Sequence, residues 1–329
     1  MANMFDYNYV IKRLTEFESL SSRKQMKFLL GLFQDDDFME YLFNPKRTEN
    51  TENEIISLYQ QITKPKVVRA IADMIEDEGY DEFDRSTATF INSIVNQGLA
   101  YNNERLEEAS SAKRTGDLSN HDFNETKNTA EKYNQYIAEL MKVSRKIVKP
   151  EAKRLSNDTN IPKYVCILAL KSVPETKFVK NYKVPYYLSN LMNNIYAEVD
   201  RIGDFSEHVN WKEFFKIIFG KDNVIEAANF ILLEGVNRID KCKNSKDVHA
   251  CWDSLTSFAL RELNDAPEQL RNHMLDIYIK RITKMFANRS FDLRVDLTKI
   301  DDSAFPKLAK SVTGYFDKIT KILKGEKTD

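Results

Sequence analysis

The sequence predicts an all-α protein: an irregular multi-helix bundle or α-solenoid-like array, with one short extended segment near its C-terminus. Three observations lead there. Apolar residues recur three and four positions apart along most of the chain, the period of a helix with one buried face. Glycine, which turns, bulges and phosphate-cradling loops use for its backbone freedom, occurs only 9 times in 329 residues. Prolines and hydroxyl–carboxylate pairs that start helices stand before many of the periodic runs.

In chain order, Tyr9, Val10, Leu14, Phe17 and Leu20 mark a first helix, and Ser21 or Ser22 opens a second one with Leu29, Leu32 and Phe33. A short helix from Asp36 to Phe43 ends before Pro45. Thr51 with Glu54 reads as a capping box for a helix carrying Ile55, Leu58 and Ile62. Pro65 sits in the first turn of the next helix, where its missing amide costs nothing, and Gly79 stops that helix. Ser86 starts a longer helix through Phe90, Ile94 and Leu99. The small, polar run from Ser110 to Asn120, with Gly116 inside it, predicts a mobile loop over 112–121.

Asp122 with Glu125 then predicts a long helix to Lys149, about 40 Å in length. Pro150 is expected to kink or end it. Pro162 begins a buried helix over Tyr164–Val173, and Pro185 begins another with Leu188, Leu191 and Ile195. Asn210 with Glu213 caps a segment holding Trp211, Phe214, Phe215, Ile218 and Phe219. Three more helices follow, led by Lys221, Ser245 and Asp265. The period then changes to two. Phe291, Leu293, Val295 and Leu297 alternate with Asp292, Arg294 and Asp296, as in a half-buried strand. This segment is expected to be an extended connector or a strand-adding arm. A last helix runs from Ser303 to Leu323. The total is roughly twelve to fourteen helices.

Charge divides the chain. Residues 1–132 hold 16 basic and 24 acidic side chains, and the remainder holds 33 and 26, although the net charge is only −1. The stretch Lys142–Lys183 contains eleven Lys or Arg against Glu151, Asp158 and Glu175. Within it Lys142, Arg145, Lys146, Lys149 and Lys153 fall on one stripe of a helix, with Lys177, Lys180 and Lys183 following. These eight residues are the expected contact site for a partner or a polyanion. Tyr164, Phe178 and Tyr182 lie among the cations, with Tyr186 and Tyr187 just after, the pairing of charge and ring that single-stranded nucleic acid uses.

The expected organisation is therefore an acidic helical subdomain at 1–111, the loop at 112–121, a basic helical subdomain at 122–289, and an arm with a C-terminal helix at 290–329. No GxSxG, GxxxxGK[ST] or HExxH motif occurs. Cys242, His249 and Cys251, with His273 more distant, lack the paired-cysteine hook of a zinc site. Asp35, Asp36 and Asp37 point in different directions on a helix and suit capping better than cation binding. The reading names no catalytic, cofactor or metal residue. Three cysteines, no secretory signal and no apolar run of spanning length suit a soluble chain in a reducing compartment, the cytoplasm of its cell or host. Richness in Asn, Lys and Ile suits an AT-rich bacterial or phage genome, so a virion-associated component is an expectation too. The expected role is a non-enzymatic helical assembly or adaptor protein that contacts other proteins or further copies of itself through charge, without a membrane. Nucleic-acid binding through the Lys142–Lys183 surface is the alternative.

Overall fold

Fourteen α-helices, with short 3-10 turns between some of them, make up the regular structure of the described residues, and no strand is among them. The computed structural model describes residues 5–43, 48–179, 184–202, 209–242, 246–286 and 304–323. The helices are α1 (Tyr7–Thr15), α2 (Ser22–Phe33), α3 (Asp36–Phe43), α4 (Glu49–Ile62), α5 (Pro65–Glu78), α6 (Arg85–Thr115) and α7 (Asn120–Thr159). They continue as α8 (Lys163–Ser172), α9 (Val184–Ile202), α10 (Trp211–Phe219), α11 (Val224–Cys242), α12 (Lys246–Asp265), α13 (Glu268–Phe286) and α14 (Pro306–Leu323). The fold is all-α. The alternating residues Phe291, Leu293, Val295 and Leu297 lie outside the described residues.

The chain divides into two compact units. One is Met1–Arg154 with Cys166–Tyr182; the other is Leu155–Val165 with Lys183–Asp329. The division falls within α7 and within α8, whereas the charge boundary of the sequence falls near residue 132.

In the first unit α1 packs on α4, and α2 packs on both α3 and α5. Leu29, Phe38, Leu58, Ile62, Val68, Ile71 and Ile75 are buried completely, each worth about 1.5–3 kcal/mol relative to exposure. Phe90 of α6 is their focus, with ring centroids of Phe33 at 5.2 Å, Phe38 at 5.3 Å and Tyr59 at 6.1 Å. Every residue from Arg85 to Ile91 is buried, so the start of α6 is surrounded on all sides. The hydroxyls of Ser86 and Thr89 and the Thr87 amide are correspondingly satisfied. Asp84 accepts the Thr87 amide at 3.0 Å, Ser86 Oγ accepts the Glu175 amide at 2.8 Å, and Thr89 Oγ1 donates to the Arg85 carbonyl at 2.9 Å. Tyr9 departs from the expected apolar face. Its ring is half exposed, under the guanidinium of Arg13.

Helices α6 and α7 form an antiparallel hairpin. Asn102 Nδ2 donates to the Ala130 carbonyl at 3.1 Å and to Asn134 Oδ1 at 2.9 Å, and Lys113 lies over the Phe123 ring at 4.2 Å. The polar run after Ser110 is helical up to Thr115, and Gly116 closes α6 in a left-handed conformation (φ 85°). The break between the two helices is residues 116–119, shorter than the expected loop at 112–121. Ser119 caps α7, accepting the Asp122 amide at 3.1 Å, so the cap stands three residues ahead of the expected Asp122–Glu125 box. The same displacement occurs at α4, where Thr48 accepts the Thr51 amide at 3.2 Å. In both places a hydroxyl three residues upstream takes the role, which lengthens the helix.

Helix α7 is 40 residues long and continues through Pro150 rather than ending there. Pro150 and Lys146 are both exposed, so the carbonyl deprived of its amide partner faces water.

The second unit is built on α10, whose Trp211, Phe214, Phe215, Ile218 and Phe219 are all buried. Asn210 caps it as expected, accepting the Glu213 amide at 3.1 Å. Trp211 Nε1 donates to Ser254 Oγ of α12 at 3.0 Å, and Phe215 meets Phe258 of the same helix at 5.6 Å. Helices α11 and α12 pack closely, with Ala227, Ala228 and Ala259 fully buried. Asn264, at the end of α12, accepts the Lys307 and Leu308 amides of α14, both at 3.1 Å. Arg271 of α13 donates to the Asn264 and Ala266 carbonyls at 3.0 and 3.1 Å and to Ser311 Oγ at 3.0 Å. One buried polar network thus ties three helices.

Candidate contact face on helix α7

The five stripe residues of α7 all come out on its exposed side. Lys142, Arg145, Lys146, Lys149 and Lys153 are exposed, while Leu140, Val143, Ile147, Val148, Ala152 and Leu155 between them are buried. The 3.6-residue period produces this sorting, because the apolar set and the cations occupy opposite sides of one helix.

Two of the five already hold carboxylates. Lys142 pairs with Glu139 one turn back at 2.6 Å. Lys146 donates to Tyr80 Oη at 2.6 Å, lies over the Tyr80 ring at 4.6 Å and reaches Glu76 at 3.5 Å. The Tyr80 hydroxyl, more than Glu76, holds the Lys146 ammonium above its usual range. Lys177 is engaged as well, pairing with Asp36 of α3 at 2.7 Å. These are exposed pairs, and each adds little to stability. They neutralise part of the site: the acidic third of the chain meets the basic stretch within one unit.

Arg145, Lys149 and Lys153 remain. They enter no ion pair among the described residues, and they stand at successive turns along about 12 Å of α7. Lys180 and Lys183 lie outside the described residues. Of the rings that accompany the cations, Phe178 and Tyr187 are each 5% exposed and Tyr164 is half-buried, whereas Tyr186 is 62% exposed.

Two further charged sites in the first unit, more buried than this face, were hardly legible in the sequence. Arg85 is 4% exposed and reaches Glu151 of α7 at 3.5 Å. Burial raises the Glu151 carboxyl above its usual range despite the opposing pull of Arg85. Lys171, near the end of α8, is 5% exposed. Burial, reinforced by the like charge of Arg145, lowers its ammonium to about 8. Only the spacing of Arg85 from Asp84, at a helix start, hints at these sites.

Among the described residues no sulfur and imidazole groups come together, and the side chains of Cys242 and His249 lie outside that description. Cys166 and Cys251 are buried, and His273 is exposed on α13. Burial pushes the Cys166 thiol up to about 12, where little reactive thiolate exists. His121, Asp122 and Glu125 have ligand atoms within 4.8 Å of one another. They are exposed within the first two turns of α7, where Asp122 bonds Ser119 and the helix dipole opposes a cation. Among the described residues no helix is long and apolar enough to cross a membrane. Compared with protein-family models, with curated proteins and with solved structures, the chain matches none.

Proposed function

We propose that this protein acts by contact rather than by catalysis, as a helical adaptor that binds acidic protein surfaces through the exposed cations of α7. The observation that carries the reading is the set Arg145, Lys149 and Lys153, aligned on one helix face and not neutralised by carboxylates among the described residues. The neighbouring cations on the same stretch already take carboxylates of the chain itself, Glu76 and Asp36. The face is thus suited to acidic side chains, and its remaining members are available for those of another protein. Charge of this kind steers association and selects partners more than it adds affinity.

A polyanion would use the same three cations. It would also want ring faces open to bases; Phe178 and Tyr187 are buried and Tyr164 is half-buried, which leaves Tyr186 as the exposed ring among those described. The two readings separate in a capture experiment with the full chain and its Lys149→Glu/Lys153→Glu variant as paired baits, with and without nuclease. Proteins held by the wild type and lost from the variant, regardless of nuclease, support the proposal. Identical protein sets on the two baits would refute it, and nuclease-sensitive capture would transfer the face to nucleic acid.

A further inference from the structure

Cations of α7 without ion pairs among the described residues adjoin acids that likewise have none, and Lys146 stands at the boundary between them. On one side, Asp77 and Glu78 end α5, and Asp81 and Glu82 lie in the 3-10 turn that follows. All four are exposed and enter no ion pair among the described residues. On the other side stand Arg145, Lys149 and Lys153. Between them, Lys146 reaches Glu76 at 3.5 Å and Tyr80 Oη at 2.6 Å, fixing the two patches edge to edge within the first unit.

We propose that a second copy of this chain docks on this bipolar face, as a two-fold dimer. The inference rests on the reading of α7 as a protein-contact face and names its partner. A two-fold axis lying in the interface along the Glu76–Lys146 boundary sets each copy's acids against the other's cations, twice over. Closed two-fold pairing is the commonest symmetry for identical chains, and it requires this kind of self-complementary surface. A parallel shift that placed like on like would be repelled. Every one of the charges involved is exposed and screened by water, so each pair contributes little. The dimer is therefore weak, readily reversed and sensitive to salt.

The test is sedimentation of the full chain over a concentration series, at about 10 mM salt, where charges act over roughly 30 Å, and at about 1 M, where they act over roughly 3 Å. The wild type should form dimers at low salt and be monomeric at high salt. Two variants, Lys149→Glu/Lys153→Glu and Asp81→Lys/Glu82→Lys, should each be monomeric at low salt, with helical content unchanged by circular dichroism. Mixed in equal amounts they should dimerise again, since each supplies the sign the other lost; a misfolded variant could not give this rescue. A wild type that stays monomeric at low salt, variants that still dimerise alone, or an equal mixture that stays monomeric would each overturn the inference. A monomeric wild type whose paired-bait capture still depends on Lys149 and Lys153 would overturn only the identity of the partner. Loss of both would remove the contact face as well.

Discussion

Lys171 is the residue on which charge and burial conflict most openly. Its side chain is 5% exposed, and the charge that acts on it, Arg145, has the same sign. With its ammonium lowered to about 8 from 10.5, the unfolded chain binds more protons than the folded one between those values. Stability should therefore rise with pH across that window and be lost as pH falls through about 8, by up to about 3 kcal/mol. Urea unfolding as a function of pH measures this, and Lys171→Met should flatten the slope and stabilise the protein at neutral pH. Gly98 presents the opposite case, a residue fixed by space. A Cβ there would lie 2.4 Å from the Tyr133 hydroxyl, which donates to the Thr63 carbonyl at 2.7 Å, and 2.8 Å from Ile137 Cδ1. Gly98→Ala should cost about 1–3 kcal/mol in denaturant unfolding, although in an open helix the same change gains about 1 kcal/mol. Neither residue announces itself in the sequence. A lysine among apolar residues on α8 reads as a surface charge, and only the packing around it decides otherwise.

At the scale of elements, apolar period and proline placement locate the helices well, as at α5 and α10, because local spacing alone sets which side is buried. Helix starts are less legible. At α4 and α7 a hydroxyl three residues upstream holds the cap, and a second capping residue stands at the same spacing behind it, Thr51 after Thr48 and Asp122 after Ser119. Pro150 fails to end α7 because its side of the helix faces solvent, a fact of tertiary structure. The network at the end of α12 was likewise hidden, since Asn264 and Leu308 lie 44 positions apart. Asn264→Ala removes the acceptor for two amides of α14 and should lower stability by about 1–2 kcal/mol. Urea unfolding followed by circular dichroism measures that loss, and Ser311→Ala, which removes only one partner of Arg271, should cost less.

At the scale of the whole molecule, the sorting of charge along the sequence has a structural counterpart within the first unit. The basic stretch read as one surface proves to be two populations. Lys142, Lys146 and Lys177 are held by Glu139, Glu76 and Asp36, while Arg145, Lys149 and Lys153 are not so held among the described residues. Composition could indicate the excess but not its division, because the pairing acids lie as far as 141 positions away. The central claim, that the second population is a protein-contact face, is tested most directly by a photo-crosslinking amino acid in place of Lys149 in the full chain, expressed in its own cells. A matched substitution at exposed Glu107, on α6, serves as control. The account predicts a discrete, nuclease-resistant protein adduct from position 149 and none from position 107. Equal adducts from both positions, none from 149, or an adduct removed by nuclease would contradict it.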